Sequence, residues 1–182
     1  MRIVGGAWRG RTLVAPAGTT TRPTADRLRQ TIFDILLHAP WAGRDMLVGA
    51  QVLDAFAGTG ALGLEALSRG AVHACFIERD RAALATLKAN VAACRAEDRA
   101  TVHAADAARP PVGRQCGLVF LDPPYGQGLI DAAIPALQNA GWLDAGAIFV
   151  LETGRDETIV PPGALLAERV LGVARVSFWR RS

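Results

Sequence analysis

The chain has 182 residues, the size of one ordinary domain, and its hydrophobic content of 51% excludes an intrinsically disordered protein. Nineteen of the twenty basic residues are arginine, and they concentrate at the two ends of the chain. Residues 1–30 carry a net charge of +5 and residues 169–182 carry +4, whereas residues 31–168 carry −6. This division predicts an anionic partner that meets the termini, although solvated faces in an arginine-rich protein explain the same charges.

The sequence also restricts where the protein works. No apolar run reaches the ~18 residues of a membrane-spanning helix, and the first thirty residues lack the apolar region of a secretory signal. The three cysteines, Cys75, Cys94 and Cys116, are too widely spaced for a Cys-x-x-Cys metal or redox motif. We therefore expect a reduced, soluble, cytoplasmic protein that has no membrane contact and no metal, and whose small size suits a monomer.

The first forty residues differ from the rest of the chain. Two strands, paired as a hairpin, and one amphipathic helix are predicted there at 2–6, 8–14 and 26–37. These elements form a small basic extension, residues 1–40, that precedes a larger domain at residues 41–182.

The remaining elements alternate between short apolar strands and helices. Five strands are predicted at 51–56, 74–78, 101–104, 117–121 and 147–151. Three helices are predicted at 61–68, 80–94 and 128–140. This alternation is typical of a doubly wound, mostly parallel α/β sheet. Two further strands at 165–171 and 173–179 meet at a tight connection and should add an antiparallel C-terminal edge.

A glycine-rich loop follows the first of these strands. Gly58-Thr59-Gly60 opens the pattern G-x-G-x-x-G between a strand and a helix. Glycines at this place let the backbone approach a ligand closely at a helix N-terminus. Glu78 ends the next strand, where a carboxylate can accept hydrogen bonds from ribose hydroxyls. Taken alone, the pattern admits a nicotinamide-dependent oxidoreductase.

Asp54 changes this interpretation. It lies four residues before Gly58 in the pattern Asp-x-Phe-x-Gly-x-Gly, which includes Phe56. Its carboxylate would repel a diphosphate and attract the α-amino group of a bound amino acid. S-adenosylmethionine has that amino group, a ribose and an adenine but no phosphate, so it is favoured over a dinucleotide. The alternative is that Asp54 only caps the glycine turn. Asp106, after the third strand, is placed to contact an adenine amino group.

The tetrapeptide Asp122-Pro123-Pro124-Tyr125 follows a buried strand. Two consecutive prolines make a rigid, extended turn with few backbone donors. Backbone carbonyls and the Asp122 carboxylate can then accept both hydrogens of an exocyclic amine, while Tyr125 offers a flat face to a base withdrawn from its stack. Holding both N–H groups would aim the lone pair of the amine at a sulfonium methyl, which is catalysis by positioning and electrostatics.

These two motifs, in this order, resemble those of class I S-adenosylmethionine-dependent amino-methyltransferases. Over nearly the whole chain, the sequence is similar to the RsmD family of bacterial 16S rRNA guanine-N2 methyltransferases. The more specific segments lie near the N-terminus, at 2–6, 8–11, 22–24, 26–29 and Phe33. The resemblance implies a Rossmann-like class I methyltransferase fold and methylation of the guanine at position 966 of small-subunit rRNA.

The resemblance also implies roles for individual residues. The cofactor would be bound by Asp54, Phe56, Gly58, Thr59, Gly60, Glu78, Arg79, Asp106 and Ala107. The target base would be held by the catalytic residues Asp122, Pro123, Pro124 and Tyr125. Phosphates of 16S rRNA, in the small subunit or an assembly intermediate, would be contacted by Arg9, Arg11, Arg22, Arg27 and Arg29. Arg22 or Arg27 could instead hold the cofactor carboxylate.

Two other functions stay open. A DNA adenine-N6 methyltransferase would use the same tetrapeptide, but residues 1–40 leave little room for a DNA-reading module. A catalytically silent module could use the same fold only to bind RNA. The intact set of Asp54, Gly58, Gly60 and Asp122 argues against that loss of catalysis.

Overall fold

The computed structural model describes residues 1–15, 23–43, 46–160 and 162–182. The strands in these residues are β1 Gln51–Asp54, β2 His73–Glu78, β3 Ala100–Ala104, β4 Cys116–Leu121, β5 Leu143–Gly154, β6 Gly163–Leu171 and β7 Ala174–Arg181. The α-helices are α1 Pro23–His38, α2 Ala61–Ser68, α3 Arg81–Ala93 and α4 Leu129–Asn139. Short 3-10 helices occupy Gly6–Trp8 and Glu97–Arg99. None of the described helices is both long and apolar enough to cross a bilayer.

The seven strands form one sheet in the order β3-β2-β1-β4-β5-β7-β6. Neighbours from β3 to β5 are parallel, whereas β7 runs antiparallel to both β5 and β6. The predicted doubly wound, mostly parallel sheet with an antiparallel C-terminal edge is confirmed. The strand order changes direction between β1 and β4, which is where open α/β sheets form a ligand crevice at the carboxyl ends of the strands.

Alternate residues of the strands face two separate cores. On one face, Phe120 of β4 packs against Phe33 of α1, with ring centroids 5.7 Å apart, and α2 and α3 complete this layer. On the other face, Leu121 of β4 shares a core with Leu137 of α4. Ile3, near the chain start, is buried in the same core as α1, and hydrogen bonds to Glu65 and Ser68 pack the N-terminal segment against α2.

The N-terminal hairpin differs from the prediction. Arg2 and Thr12 form a single antiparallel bridge, and the 3-10 helix Gly6–Trp8 lies between them in place of a two-strand ladder. Gly6 has φ +74°, and a Cβ atom there would lie 2.0 Å from the Ser68 carbonyl oxygen. Close packing on the end of α2 therefore bends this segment away from an extended path.

β5 is also longer than predicted. Only the apolar run 147–151 indicates a strand, because polar residues flank it. In the structure Glu152, Thr153 and Gly154 continue the strand, since they pair with β7. This extension brings Glu152 to the carboxyl end of the sheet.

Candidate active site

Two cavities meet at the carboxyl ends of β1 and β4. The first has a volume of about 300 Å³ and lies between these strands and α1; the second, about 420 Å³, extends toward β2. Their walls share three residues, Phe56, Gly58 and Asp122. They are therefore adjoining compartments of one cleft at the predicted crevice.

The three positions of the G-x-G-x-x-G pattern require glycine for different structural reasons. Gly58 has φ +52°, and a Cβ atom there would meet no protein atom within 4 Å, so its Cα leaves room in the cleft. Gly60 has φ +79°, and a Cβ atom would lie 2.3 Å from Leu87. At Gly63 a Cβ atom would lie 2.3 Å from the Phe76 ring. Gly58 therefore makes space for a ligand, whereas Gly60 and Gly63 let α2 pack closely on its neighbours.

Asp54 ends β1 and lines the first cavity. It is 1% exposed, and its Oδ2 atom accepts a hydrogen bond of 3.0 Å from the Gly63 backbone N–H. Burial raises the pKa of Asp54 to about 7; the Gly63 N–H opposes the shift and the charge of Glu78 adds to it. Asp54 thus caps α2 and also presents a carboxyl group to the cleft. A capping role and a ligand-binding role, the two interpretations of Asp54 from the sequence, are therefore compatible.

Glu78 ends β2 at the second cavity. Its Oε2 atom accepts from the Gly58 N–H at 2.8 Å, and Oε1 accepts from the N–H groups of Arg79 and Asp80 at 2.7 Å each. A carboxylate has about four acceptor positions, so the side chain is held rigidly and keeps capacity for one more donor such as a hydroxyl.

Arg79 and Asp106 close the far wall of the second cavity. The Arg79 guanidinium lies 3.2 Å from Asp106 Oδ2, and the backbone N–H of Ala108 donates to Oδ1 at 2.9 Å. That N–H, followed by Arg79, holds the pKa of Asp106 below its usual value despite partial burial. Ala107 is buried in the same wall, opposite Pro124.

Asp122 follows β4 directly, and Glu152 of β5 lies beside it. β4 and β5 pair in parallel at Leu121 and Leu151, so the next residues, Asp122 and Glu152, are neighbours on the α1 side of the sheet. The two carboxyl groups are therefore close enough for each to affect the titration of the other. Burial, followed by the charge of Glu152, raises the pKa of Asp122 well above its usual value; burial also raises that of Glu152.

The Tyr125 hydroxyl donates a hydrogen bond to Glu152 Oε1. Burial and Glu152 raise the pKa of Tyr125, so the hydroxyl stays protonated and remains a donor. Tyr125 is 41% exposed, while Pro123 is buried and Pro124 lines the second cavity. The turn therefore combines a buried anchor with an accessible aromatic face.

Glu152 is the site residue that the sequence motifs missed. It lies thirty residues after Asp122 and belongs to no recognised pattern. The available signal was its place immediately after the apolar run 147–151, where a parallel strand should reach the crevice.

The five arginines predicted to contact RNA are in different environments. Arg9 and Arg27 are exposed, and Arg9 lines a separate cavity of about 280 Å³ together with Arg2. Arg11 is half-buried and donates to the Ala93 carbonyl at the end of α3 at 2.8 Å. Arg22 lies outside the described residues.

Arg29 requires a correction. It is 4% exposed, donates to Asp26 at 2.8 Å and lies 3.4 Å from the buried Glu65 carboxylate. Its side chain is thus enclosed between α1 and α2, with one edge on the first cavity. A side chain that is nearly buried and paired with two carboxylates does not reach phosphates at the protein surface, so the prediction that Arg29 contacts RNA is wrong.

No group of three or more His, Cys, Asp or Glu side chains within the described ranges is arranged to hold a metal ion. The three cysteines, Cys75, Cys94 and Cys116, are buried and free.

Comparisons with known proteins agree with this geometry. A family model described as "Conserved hypothetical protein 95" matches residues 1–179. "Ribosomal RNA small subunit methyltransferase D" of Escherichia coli is 40% identical over 185 residues, which cover 100% of this chain and 90% of that protein. The Haemophilus influenzae protein of the same name is 34% identical over 180 residues, with 95% and 90% covered.

A solved structure, "Putative methyltransferase yhhF from Escherichia coli", matches with a TM-score of 0.83 at 40% identity, covering 100% of this chain and 98% of that one. The fold and family predicted from the motifs are therefore confirmed: the chain belongs to the RsmD family of ribosomal RNA small-subunit methyltransferases, with the class I methyltransferase fold.

Proposed function

We propose that this protein transfers a methyl group from S-adenosylmethionine to the exocyclic N2 amine of a guanine in 16S rRNA, the guanine at position 966. The observation that carries the proposal is the place of Asp122, which forms part of the walls of both compartments of the cleft. An amine held by Asp122 lies next to the space beside Asp54 and Gly58. The names of the relatives support ribosomal RNA as the substrate class.

The residues around the cleft fit S-adenosylmethionine. Asp54 would accept hydrogen bonds from its ammonium group, and that positive charge would favour the ionised form of a carboxyl whose pKa is about 7. Glu78 would use its remaining acceptor position for a ribose hydroxyl, and Asp106 and Ala107 would meet the adenine. Gly58 leaves the space that a side chain would fill. When bound, the cofactor supplies an electrophilic methyl group on a sulfonium.

The tetrapeptide acts on the nucleophile. An aromatic amine is a poor nucleophile because its lone pair is delocalised into the ring. Acceptors on both N–H groups, from Asp122 and the backbone carbonyl oxygens of the turn, would orient that lone pair, while the two prolines place no N–H donors there. Tyr125, which is exposed, would offer a face of its ring to the base. The amine loses a proton after it is methylated, and a carboxylate with a raised pKa is suited to accept it.

The basic extension, residues 1–40, would hold the RNA. Arg9 and Arg27 are exposed, and Arg11 is half-buried beside the same segment. Such side chains supply salt-dependent affinity for phosphates without reading the sequence. The partner in this proposal is the small subunit or an assembly intermediate, bound by a monomer.

A methyl-transfer assay tests the proposal. Labelled S-adenosylmethionine is offered with unmethylated small subunits, free 16S rRNA and DNA in parallel, and the products are digested to nucleosides. We expect the label in N2-methylguanosine. Label in N6-methyladenine would establish the DNA alternative, and no label in any substrate would favour the binding module.

The variant Asp122→Ala separates catalysis from binding in the same assay. Turnover should fall by about two or more orders of magnitude because the variant lacks acceptors for the amine, while the dissociation constant for the cofactor stays close to that of the parent. Asp98→Ala removes an exposed carboxylate and should keep the parent turnover. Equal turnover in Asp122→Ala and Asp98→Ala would refute the role of Asp122.

A further inference from the structure

Glu152 takes no part in the methyl transfer proposed for Asp122, yet it lines the first cavity of the cleft. Asp54 ends β1, Asp122 directly follows the neighbouring strand β4, and Glu152 lies on β5 beside it; all three line the same cavity below α1. Parallel strands lie about 4.8 Å apart, so Asp122 and Glu152 present two carboxyl groups at the spacing of adjacent strands.

The side chain of Glu152 is held in place. The Tyr125 hydroxyl donates to its Oε1 atom, and Asp122 is its neighbour across the paired strands β4 and β5. A carboxyl group that accepts one hydrogen bond keeps further acceptor positions, because each oxygen has two lone pairs. The wall of the cavity beside Asp122 is therefore rich in acceptors, and the Arg29 side chain lines the same cavity.

This arrangement distinguishes between the two purines that carry an exocyclic amine. In guanine the N2 amine is flanked by N1–H, a donor. In adenine the N6 amine is flanked by N1 with a lone pair, an acceptor. A base whose amine is held at Asp122 brings the neighbouring ring position toward Glu152. A carboxylate there accepts from N1–H of guanine and repels the lone pair of adenine.

We propose that Glu152 determines the base specificity of this site by accepting the N1–H of the target guanine beside the amine held by Asp122. The inference rests on the proposed function, since it needs a purine amine at Asp122. In this proposal Glu152 discriminates guanine from adenine, although the tetrapeptide at 122–125 can hold the amine of either base. A site built to hydrogen-bond a substrate N–H discriminates strongly against an analogue that lacks it, because buried polar groups are then left without partners.

The test compares guanine with 2-aminopurine, which keeps the 2-amino group but carries a lone pair at N1. Small subunits are reconstituted with 16S rRNA that contains either base at the target position, and kcat/KM for methyl transfer is measured. The parent should prefer guanine by about tenfold or more. Glu152→Gln should reduce this preference at least tenfold, because its amide can donate to the N1 lone pair.

The preference is the ratio of kcat/KM on the two bases for one enzyme, so a smaller fraction of active protein does not change it. 2-Aminopurine also lacks O6, but this difference is the same for every variant and cancels when their preferences are compared. Glu152→Asp keeps a carboxylate and should retain a preference for guanine, whereas the exposed Glu168→Gln should leave the ratio at the parent value. An unchanged ratio in Glu152→Gln would overturn the inference and leave Glu152 as an anchor for Tyr125. Equal rates on both bases in the parent would overturn it without any variant. If the parent does not methylate guanine at all, the proposed function itself fails, and this inference with it.

Discussion

Asp54 is a carboxyl group with almost no access to solvent at the most polar edge of the sheet. Its exposure is 1%, and burial is the main reason that its pKa rises to about 7. In the unfolded chain the same carboxyl titrates near its ordinary pKa of 3.8. Between these values the folded protein binds more protons than the unfolded one, so the free energy of unfolding falls as pH rises. Asp122 and Glu152, whose pKa values are also raised, act in the same direction.

The variant Asp54→Asn tests this pH dependence of the free energy of unfolding, and the measurement needs no cofactor. In the parent, Asp54 should lower the free energy of unfolding by up to about 1.4 kcal/mol per pH unit between about pH 4 and pH 7. Asn removes the titration and its Oδ1 atom can still accept from the Gly63 N–H, so the variant gains stability relative to the parent as pH rises. Urea midpoints measured from about pH 4.5 to pH 8 should diverge. Parallel curves for parent and variant would contradict the expectation; the exposed Asp98→Asn should run parallel to the parent.

Local sequence patterns identify some residues of this site and miss others for a physical reason. Gly58, Glu78 and Asp122 were found because each is tied to the end of a strand by its immediate neighbours. Glu152 was missed because its role depends on pairing between β4 and β5, which the sequence does not display. The RNA contact that the resemblance implied for Arg29 was wrong, because a sequence motif contains no information on the burial of a single side chain.

Among the helices, α1 and α2 are joined to the N-terminal segment by one carboxylate. Glu65 of α2 is fully buried and accepts from the backbone N–H groups of Val4 and Gly5 at 2.8 Å each. It also pairs with Arg69 at 2.8 Å and with Arg29 of α1 at 3.4 Å. The cluster fixes α1 over the first cavity, so it positions one wall of the cleft.

Glu65→Gln should therefore be strongly destabilising. Removing one charge from a buried cluster leaves its partners uncompensated, at a cost of about 3–5 kcal/mol in the free energy of unfolding. Glu97→Gln, an exposed exchange of the same kind, should change stability by less than about 0.5 kcal/mol. Denaturant unfolding of both variants at one pH makes the comparison. If the two midpoints coincide, the cluster is not what holds α1 in place.

The alternation of strands and helices was predictable because hydrophobic periodicity is a local property. The extension of β5 through Glu152 and the bent path at Gly6 were not, because contacts with β7 and with the end of α2 determine them. Tertiary contacts decided the elements at which the sequence pattern was ambiguous.

At the scale of the whole molecule, charge is divided between the cleft and the chain ends. The acids at the carboxyl edge of the sheet face the cleft, whereas Arg9 and Arg27 are exposed in the N-terminal forty residues. Like charges at the cleft would repel an RNA backbone, so the phosphates must be attracted elsewhere while one base enters. The small net charge of +3 conceals this separation.

This separation predicts how salt affects RNA binding. The double variant Arg9→Ala, Arg27→Ala should bind the small subunit or 16S rRNA more weakly, and the slope of log Kd against log salt concentration should decrease by about 0.7–0.9 for each phosphate that the variant no longer neutralises. Arg114→Ala is the matched control, because this exposed arginine precedes β4 at the opposite edge of the sheet from the cleft. Its slope should equal that of the parent. If the double variant also keeps the parent slope, the exposed N-terminal arginines are solvated side chains, and the RNA must be held by another surface.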